Sequence, residues 1–304
     1  MPEKLIFIDT NIFLDFYRSQ TDAGLSLLRR AEGIPDKLIT TFQVEMEFKK
    51  NRQEVIVESI NALKPPTDIA RPAIFSDAKT FQLLQRDISN AKKRVARLKH
   101  SLKQALAKPT THDQVYRIVQ RLLTNETNFN LAQNNKERFR IRRKALRRFL
   151  LGHPPRKKND TSIGDAINWE WIVHCAQNSN AEIIIVSRDS DYGVTLEKES
   201  FLNDSLAQEF RSRVSRKRKI RLCTRLSEAL KLFAVKVTEA EAKEEESIAK
   251  PTASTLSPEQ INEFMNYYRD NPDNYIIPPM RPHMAGLGIS GLFTATSEDN
   301  QGNQ

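Results

Sequence analysis

Four segments of the 304-residue chain set carboxylates against apolar residues. In KLIFIDTN, Asp9 follows the apolar run Leu5 to Ile8 directly. In AEIIIVSRDSDYG, Asp189 and Asp191 lie just past Ile183 to Val186, and Ser187 stands two residues before Asp189, where it could orient that side chain. In SIGDAINWEW, Asp165 begins a helix, and in FQVEMEFKKNR a helix carries Glu45 and Glu47. A carboxylate at the end of a buried strand is costly unless something compensates it. Several in one place repel one another and raise their own pKa values unless a cation neutralises them. Hard oxygen ligands with no His or Cys beside them point to Mg²⁺ or Mn²⁺ rather than zinc.

Each acid also has an ordinary reading. Trp169, Ile172 and Ala176 share a helical face with Asp165, so Asp165 can look inward. Ser162 with Asp165 three residues on also resembles a capping box, and both readings can hold at once. Val44 and Phe48 share one face of their helix. Glu47 lies beside that stripe and Glu45 points elsewhere, although either can be a solvated helix glutamate. The histidines at 100, 112, 153, 174 and 283 form no paired-ligand spacing. There is no P-loop, no GxGxxG after a strand and no GxSxG elbow.

The elements that must position these acids follow from hydrophobic patterning. Lys4–Asp9, Lys37–Thr41, the run AEIIIVSRD and Ile220–Thr224 read as strands, and the most apolar of them suit a sheet buried on both faces. Helical patterns separate them, which argues for an α/β fold with a parallel sheet and right-handed crossovers. Residues 1–236 form the core in this reading. A helical, basic insertion occupies about 76–150, with Leu84, Ile88, Val95, Leu98 and Leu102 as the stripe of its longest helix. Residues 237–256 read as an acidic and polar linker or a frayed helix, 257–270 as a short amphipathic helix that docks on the body of the protein or on a partner, and 271–304 as a mostly disordered tail.

The chain carries 48 Lys and Arg against 38 Asp and Glu, a formal charge of +10. Such a balance suits a polyanionic partner, nucleic acid before an anionic membrane. The run NNKERFRIRRKALRRFLLGHPPRKK holds eleven Lys and Arg against one Glu. Phe139, Ile141, Ala145 and Phe149 are expected to seat it, leaving Arg140, Arg143, Arg147, Arg156, Lys157 and Lys158 to meet phosphates. Arg211–Arg221 is a second basic run, which a solvated face explains equally well. Cys175 and Cys223 match no zinc spacing and read as buried, reduced thiols. No leader is visible at the start, and no stretch approaches the roughly 18 apolar residues of a membrane helix. The expectation is a cytoplasmic protein with no membrane partner.

A strand running into DTN, a glutamate on a helix, GD at a helix start and a strand ending in SRD together resemble the PIN-domain nucleases. The likeness is closer to a larger PIN-like branch through EFKKNR, PPRKKNDTSIGDAINWEW and VSRDSDYG, and spans about Lys4 to Ala234. It implies a PIN-like Rossmannoid fold with a central parallel sheet, a helical insertion and a C-terminal extension. By this resemblance Asp9, Glu47, Asp165 and Asp189 are the acidic quartet that holds Mg²⁺ or Mn²⁺, with Asn11, Glu45, Ser187 and Asp191 accessory. The activity implied is a metal-dependent endoribonuclease acting on single-stranded or looped RNA, with a toxin or antiphage role. The alternatives are a non-catalytic nucleic-acid-binding module and a DNA nuclease of flap-endonuclease type. A protein partner or a homo-oligomer is compatible with either.

Overall fold

A computed structural model describes residues 3–70, 72–75, 78–156, 162–197 and 199–249. The chain divides into two units, Met1–Pro251 and Thr252–Gln304. The second unit lies outside the described residues, and with it the expected helix 257–270 and tail 271–304.

Five strands form one parallel sheet: β1 (Lys4–Ile8), β2 (Leu38–Thr41), β3 (Asn130–Leu131), β4 (Glu182–Val186) and β7 (Ile220–Cys223), in the spatial order β3-β2-β1-β4-β7. β1 and β4 lie at its centre with helices on both faces. Leu5–Ile8 and Ile183–Val186 are therefore continuously apolar and fully or almost fully buried. They pair in register, Ile8 against Val186, so Asp9 and Ser187 come next to each other at the carboxyl end. The strand order reverses between β1 and β4. Open α/β sheets bind ligands at such a switch point, outside the carboxyl ends of the strands.

The crossovers supply the remaining layers. α1 (Thr10–Asp15) and α2 (Asp22–Arg30) join β1 to β2. α3 (Phe42–Ala62), α4 (Lys79–Ala107), α5 (Pro109–His112) and α6 (Gln114–Thr124) lead to β3. α7 (Arg138–Leu150) and α8 (Gly164–Ser179) lead to β4, and a hairpin of β5 (Gly193–Leu196) and β6 (Glu199–Leu202) followed by α9 (Asp204–Arg213) leads to β7. α10 (Leu226–Leu232) and α11 (Glu239–Ala249) close the described chain.

α8 runs through the core. Its residues from Ala166 to Ala176 are all buried, a pattern that marks an interior helix. Its polar groups are matched: Thr41 Oγ1 donates to Asn168 Oδ1 (2.7 Å), Trp169 Nε1 to Glu209, and Trp171 Nε1 to the Phe129 carbonyl. Arg52, from the EFKKNR segment, is a buried staple. It pairs with Asp113 at 2.7 Å, donates to Tyr17 Oη and reaches the Ala105 carbonyl, tying α3 to the ends of α4 and α6.

Three expectations change. Part of residues 76–150 belongs to the sheet and the main core. β3 pairs with β2, and Val119, Leu122, Leu131, Ile141 and Ala145 join the main core. A two-residue strand is too short to show a period, which hid it. The stripe expected along α4 is only partly covered: Leu84 and Leu98 are exposed, Ile88, Val95 and Leu102 are half-buried, and only Ala105 of that helix is buried. Finally, the segment expected as a linker or a frayed helix contains the helix α11, whose glutamates anchor it. Glu244 accepts from Ser19 Oγ and the Gln20 and Thr21 amides. Glu245 accepts from the Leu226 and Ser227 amides at the start of α10, and Glu241 pairs with Arg30 at 2.8 Å. Read by composition alone these acids look solvated. Helix N-termini and an arginine on α2 and α10 give them partners.

Candidate metal centre at the switch point

Asp9 caps α1 and is 5% exposed. Its Oδ1 accepts from the Thr10 amide at 2.7 Å. Its Oδ2 accepts from Ser187 Oγ at 2.5 Å and Asn11 Nδ2 at 3.0 Å. Ser187 Oγ in turn accepts from the Asp189 backbone amide at 3.0 Å. Ser187 therefore braces Asp9 with its proton, and holds the Asp189 segment through the main chain rather than through the Asp189 carboxylate. Burial pushes the Asp9 carboxyl up to about 6, against hydrogen bonds from Ser187 and Thr10. The charges of Asp189 and Glu47 push the same way as burial.

Glu47 reaches this crevice from α3. Its Oε2 accepts from Thr10 Oγ1 (3.2 Å) and its Oε1 from Gln43 Nε2 (2.7 Å). Glu45 turns away, to Lys49 Nζ at 2.6 Å and Gln120 Nε2 at 3.0 Å. The expected accessory role of Glu45 thus has no geometry behind it: on a helix of 3.6 residues per turn, two residues on is the opposite flank. The close approach of α8 to Glu47 depends on Gly164. A Cβ there would lie 2.5 Å from Glu47 Oε1 and 2.7 Å from Gln43 Nε2. Ser162 accepts from the Gly164 amide, while the helix begins after Ile163, so Ser162 does not form the expected capping box.

Asp165, Asp189 and Asp191 converge. Each offers a carboxylate oxygen within 4.8 Å of the others. Asp191, expected as accessory, stands in this group beside two members of the expected quartet. Tyr192 follows Asp191 and packs against Phe7 of β1, with ring centroids 6.4 Å apart. It is fully buried, and its Oη has no hydrogen-bond partner among the described residues. Burial, together with the charges of Asp165, Asp9, Asp189 and Glu47, pushes its phenol well up, so it stays protonated. The crevice thus gathers carboxylate oxygens, a donor set that fits a hard divalent cation.

A family model described as PIN domain matches residues 6–192. The chain belongs to the PIN-domain family. Membership implies a nuclease, typically metal-dependent, that binds nucleic acid. No curated protein and no solved structure matches significantly.

The basic elements of this PIN domain divide in two. In α7, Ile141, Ala145 and Arg148 are buried, whereas Phe139, expected to seat the helix, is 74% exposed. Arg148 is structural. It pairs with Glu170 at 3.0 Å and with Glu209, and donates to the Pro154 carbonyl. Arg213 of the second basic run joins it, meeting Glu170 at 2.7 Å and Glu209 at 2.5 Å. Arg143 and Arg147 are exposed. Arg140 is also exposed but engaged, with Glu137 at 2.6 Å and His174 Nδ1 at 3.1 Å. Arg156 stacks over Phe149, and Lys157 and Lys158 lie outside the described residues. Both cysteines are free and buried, and burial pushes their thiols up. Among the described residues no helix is long and apolar enough to cross a membrane.

Sequence reasoning passed over Gln43, Gly164 and Tyr192. Gly164 and Tyr192 did stand in quoted motifs, as GD and DYG. A glycine beside a candidate ligand marks a close approach, and that was the available signal.

Proposed function

We propose that this chain is a Mg²⁺- or Mn²⁺-dependent endoribonuclease that hydrolyses phosphodiester bonds in single-stranded or looped RNA. The observation that carries this reading is the convergence of Asp165, Asp189 and Asp191 beside Asp9 and Glu47 at the switch point of a PIN-domain sheet. Asp9, Glu47, Asp165, Asp189 and Asp191 would hold the cation. When bound, it lowers the pKa of water and offsets charge on the scissile phosphate.

The chain's own groups preorganise that site. Ser187, Asn11 and Thr10 fix the Asp9 carboxylate, and Thr10 with Gln43 fixes both oxygens of Glu47. Arg143 and Arg147 offer phosphate contacts that hold a strand without reading its bases. RNA is preferred to DNA on the resemblance, and Mg²⁺ or Mn²⁺ on the all-oxygen donor set. A toxin or antiphage role would appear as growth inhibition that Asp189→Asn removes.

The test is cleavage of matched labelled RNA and DNA strands with Mn²⁺ and with EDTA, by the wild type and by Asp189→Asn. RNA cutting that needs both Mn²⁺ and Asp189 is the expected result. Binding without cutting would make the chain a non-catalytic module. Preferential cutting of branched DNA would make it a flap-type nuclease.

A further inference from the structure

A large groove lies on the described surface apart from the acidic crevice. It has a volume of about 1230 Å³ and runs along β3, the open edge of the sheet, between α3 and residues 123–136. Three features of its walls bear on what it holds.

First, α3 serves both places. Gln43 and Glu47 face the acids, while Phe42, Glu45, Met46 and Lys49, at spacings of three and four, face the groove. β2, from which α3 springs, is next to β1 in the sheet. β3 is two strands from β1, a lateral offset of roughly 10 Å at about 4.8 Å per strand, a span that a nucleotide or two can cover.

Second, the asparagine-rich wall is divided by role. Asn130 and Asn135 brace the loop, donating to the Leu123 and Asn125 carbonyls and to the Asn130 carbonyl. Asn128, Gln133 and Asn134 are exposed, and their side chains make no hydrogen bond among the described residues. Free amides carry a paired donor and acceptor, the complement of a base edge.

Third, the charge is mixed. Asp36, Glu45 and Glu126 line the groove, with Lys49 and Lys136. Such a wall is unsuited to a phosphate backbone; Glu45 is already paired with Lys49, and Asp36 and Glu126 can accept from the amino groups of bases. Met46, half exposed, and Phe42, over which Arg138 is stacked at 4.7 Å, supply apolar surface for a base plane.

We infer that this groove binds unstacked bases of single-stranded RNA next to the scissile phosphate and so sets where the strand is cut. The inference rests on the nuclease reading for its substrate. The α7 arginines hold the backbone, and the groove reads the bases.

The experiment uses the full chain with Asp9→Asn and a mixed-sequence oligoribonucleotide containing photoreactive thiouridine. Crosslinked peptides are identified by mass spectrometry, and affinity is measured across a salt series. Crosslinks to residues 123–136 and to the Met46 peptide are expected. A triple Met46→Ala, Asn128→Ala, Asn134→Ala change, all at exposed positions, should weaken binding at least about fivefold, the loss of one stacked base. The salt slope should not change, because none of the three carries charge. Crosslinks confined to other surfaces, an unchanged affinity, or a fall in salt slope would each overturn the inference. Groove crosslinks in a protein whose wild type cuts nothing would instead overturn the nuclease reading and leave the groove standing.

Discussion

Asp9 is buried with its carboxyl raised from 3.8 to about 6, so ionising it in the folded, metal-free protein costs free energy. A rise of about two pH units corresponds to about 3 kcal/mol. The sign follows from linkage. The folded pKa lies above the unfolded one, so the contribution is fully stabilising below about pH 4 and is lost as pH rises through about 6. Asp9→Asn keeps the shape and removes the charge. Asn11 can turn its amide to offer Oδ1, an atom without a partner among the described residues, to the new donor. In EDTA at pH 8 the substitution should therefore raise stability by up to about 3 kcal/mol. That is a gain of roughly 5–10 °C in Tm for a domain of this size. The gain should shrink between pH 6 and pH 4 and vanish below. Urea or thermal unfolding of both proteins over pH 3.5–8 measures it. Adding Mn²⁺ should then stabilise the wild type much more than the variant, since ligand binding to the native state adds to its stability. A substitution that destabilises equally at every pH, or a Mn²⁺ response identical in both proteins, would refute the reasoning.

Other outcomes follow from the same geometry. Glu47→Gln should lower cleavage by two orders of magnitude or more, and Glu45→Gln should leave it within a few-fold, read from single-turnover rates on one RNA; equal losses would contradict the orientation of α3. Gly164→Ala pushes on the flexible ends of Glu47 and Gln43 rather than on backbone, so activity should fall at least about tenfold with a Tm change of only a few degrees. Neutralising Arg143 and Arg147 should lower the slope of log affinity against log salt by roughly two; adding Arg140 should change it less, because that side chain is already paired. Arg148→Ala leaves Arg213 as the one described cation paired with Glu170 and Glu209, and chemical unfolding should show a loss of about 3–5 kcal/mol.

The sequence by itself determined the sheet's central strands and the acids at their ends. Leu5–Ile8 and Ile183–Val186 are apolar at every position because both faces are covered, and a charge that interrupts such a run has to sit at its carboxyl edge. α8 was legible as a helix with Trp169, Ile172 and Ala176 on one face; the burial of Asn168, Glu170 and His174 around the rest of it was not, because each depends on a partner from another element. Glu47 over Glu45 was legible from the Val44–Phe48 stripe, because helical period alone orients it. What the tertiary structure decided depends on partners distant in the chain. Asp191 joins Asp165 and Asp189 only once α8 and the β4 end are packed together. Ser187 donates to Asp9 across 178 positions. Arg148 and Arg143 stand in one basic helix and look alike in sequence, yet one meets two carboxylates in the core and the other meets water. β3 and α11 are set the same way, by a neighbouring strand edge and by two helix N-termini. A charged side chain's role is fixed by whichever opposite charge or unmatched backbone group the fold brings within hydrogen-bond reach, and local patterning carries no record of that distance.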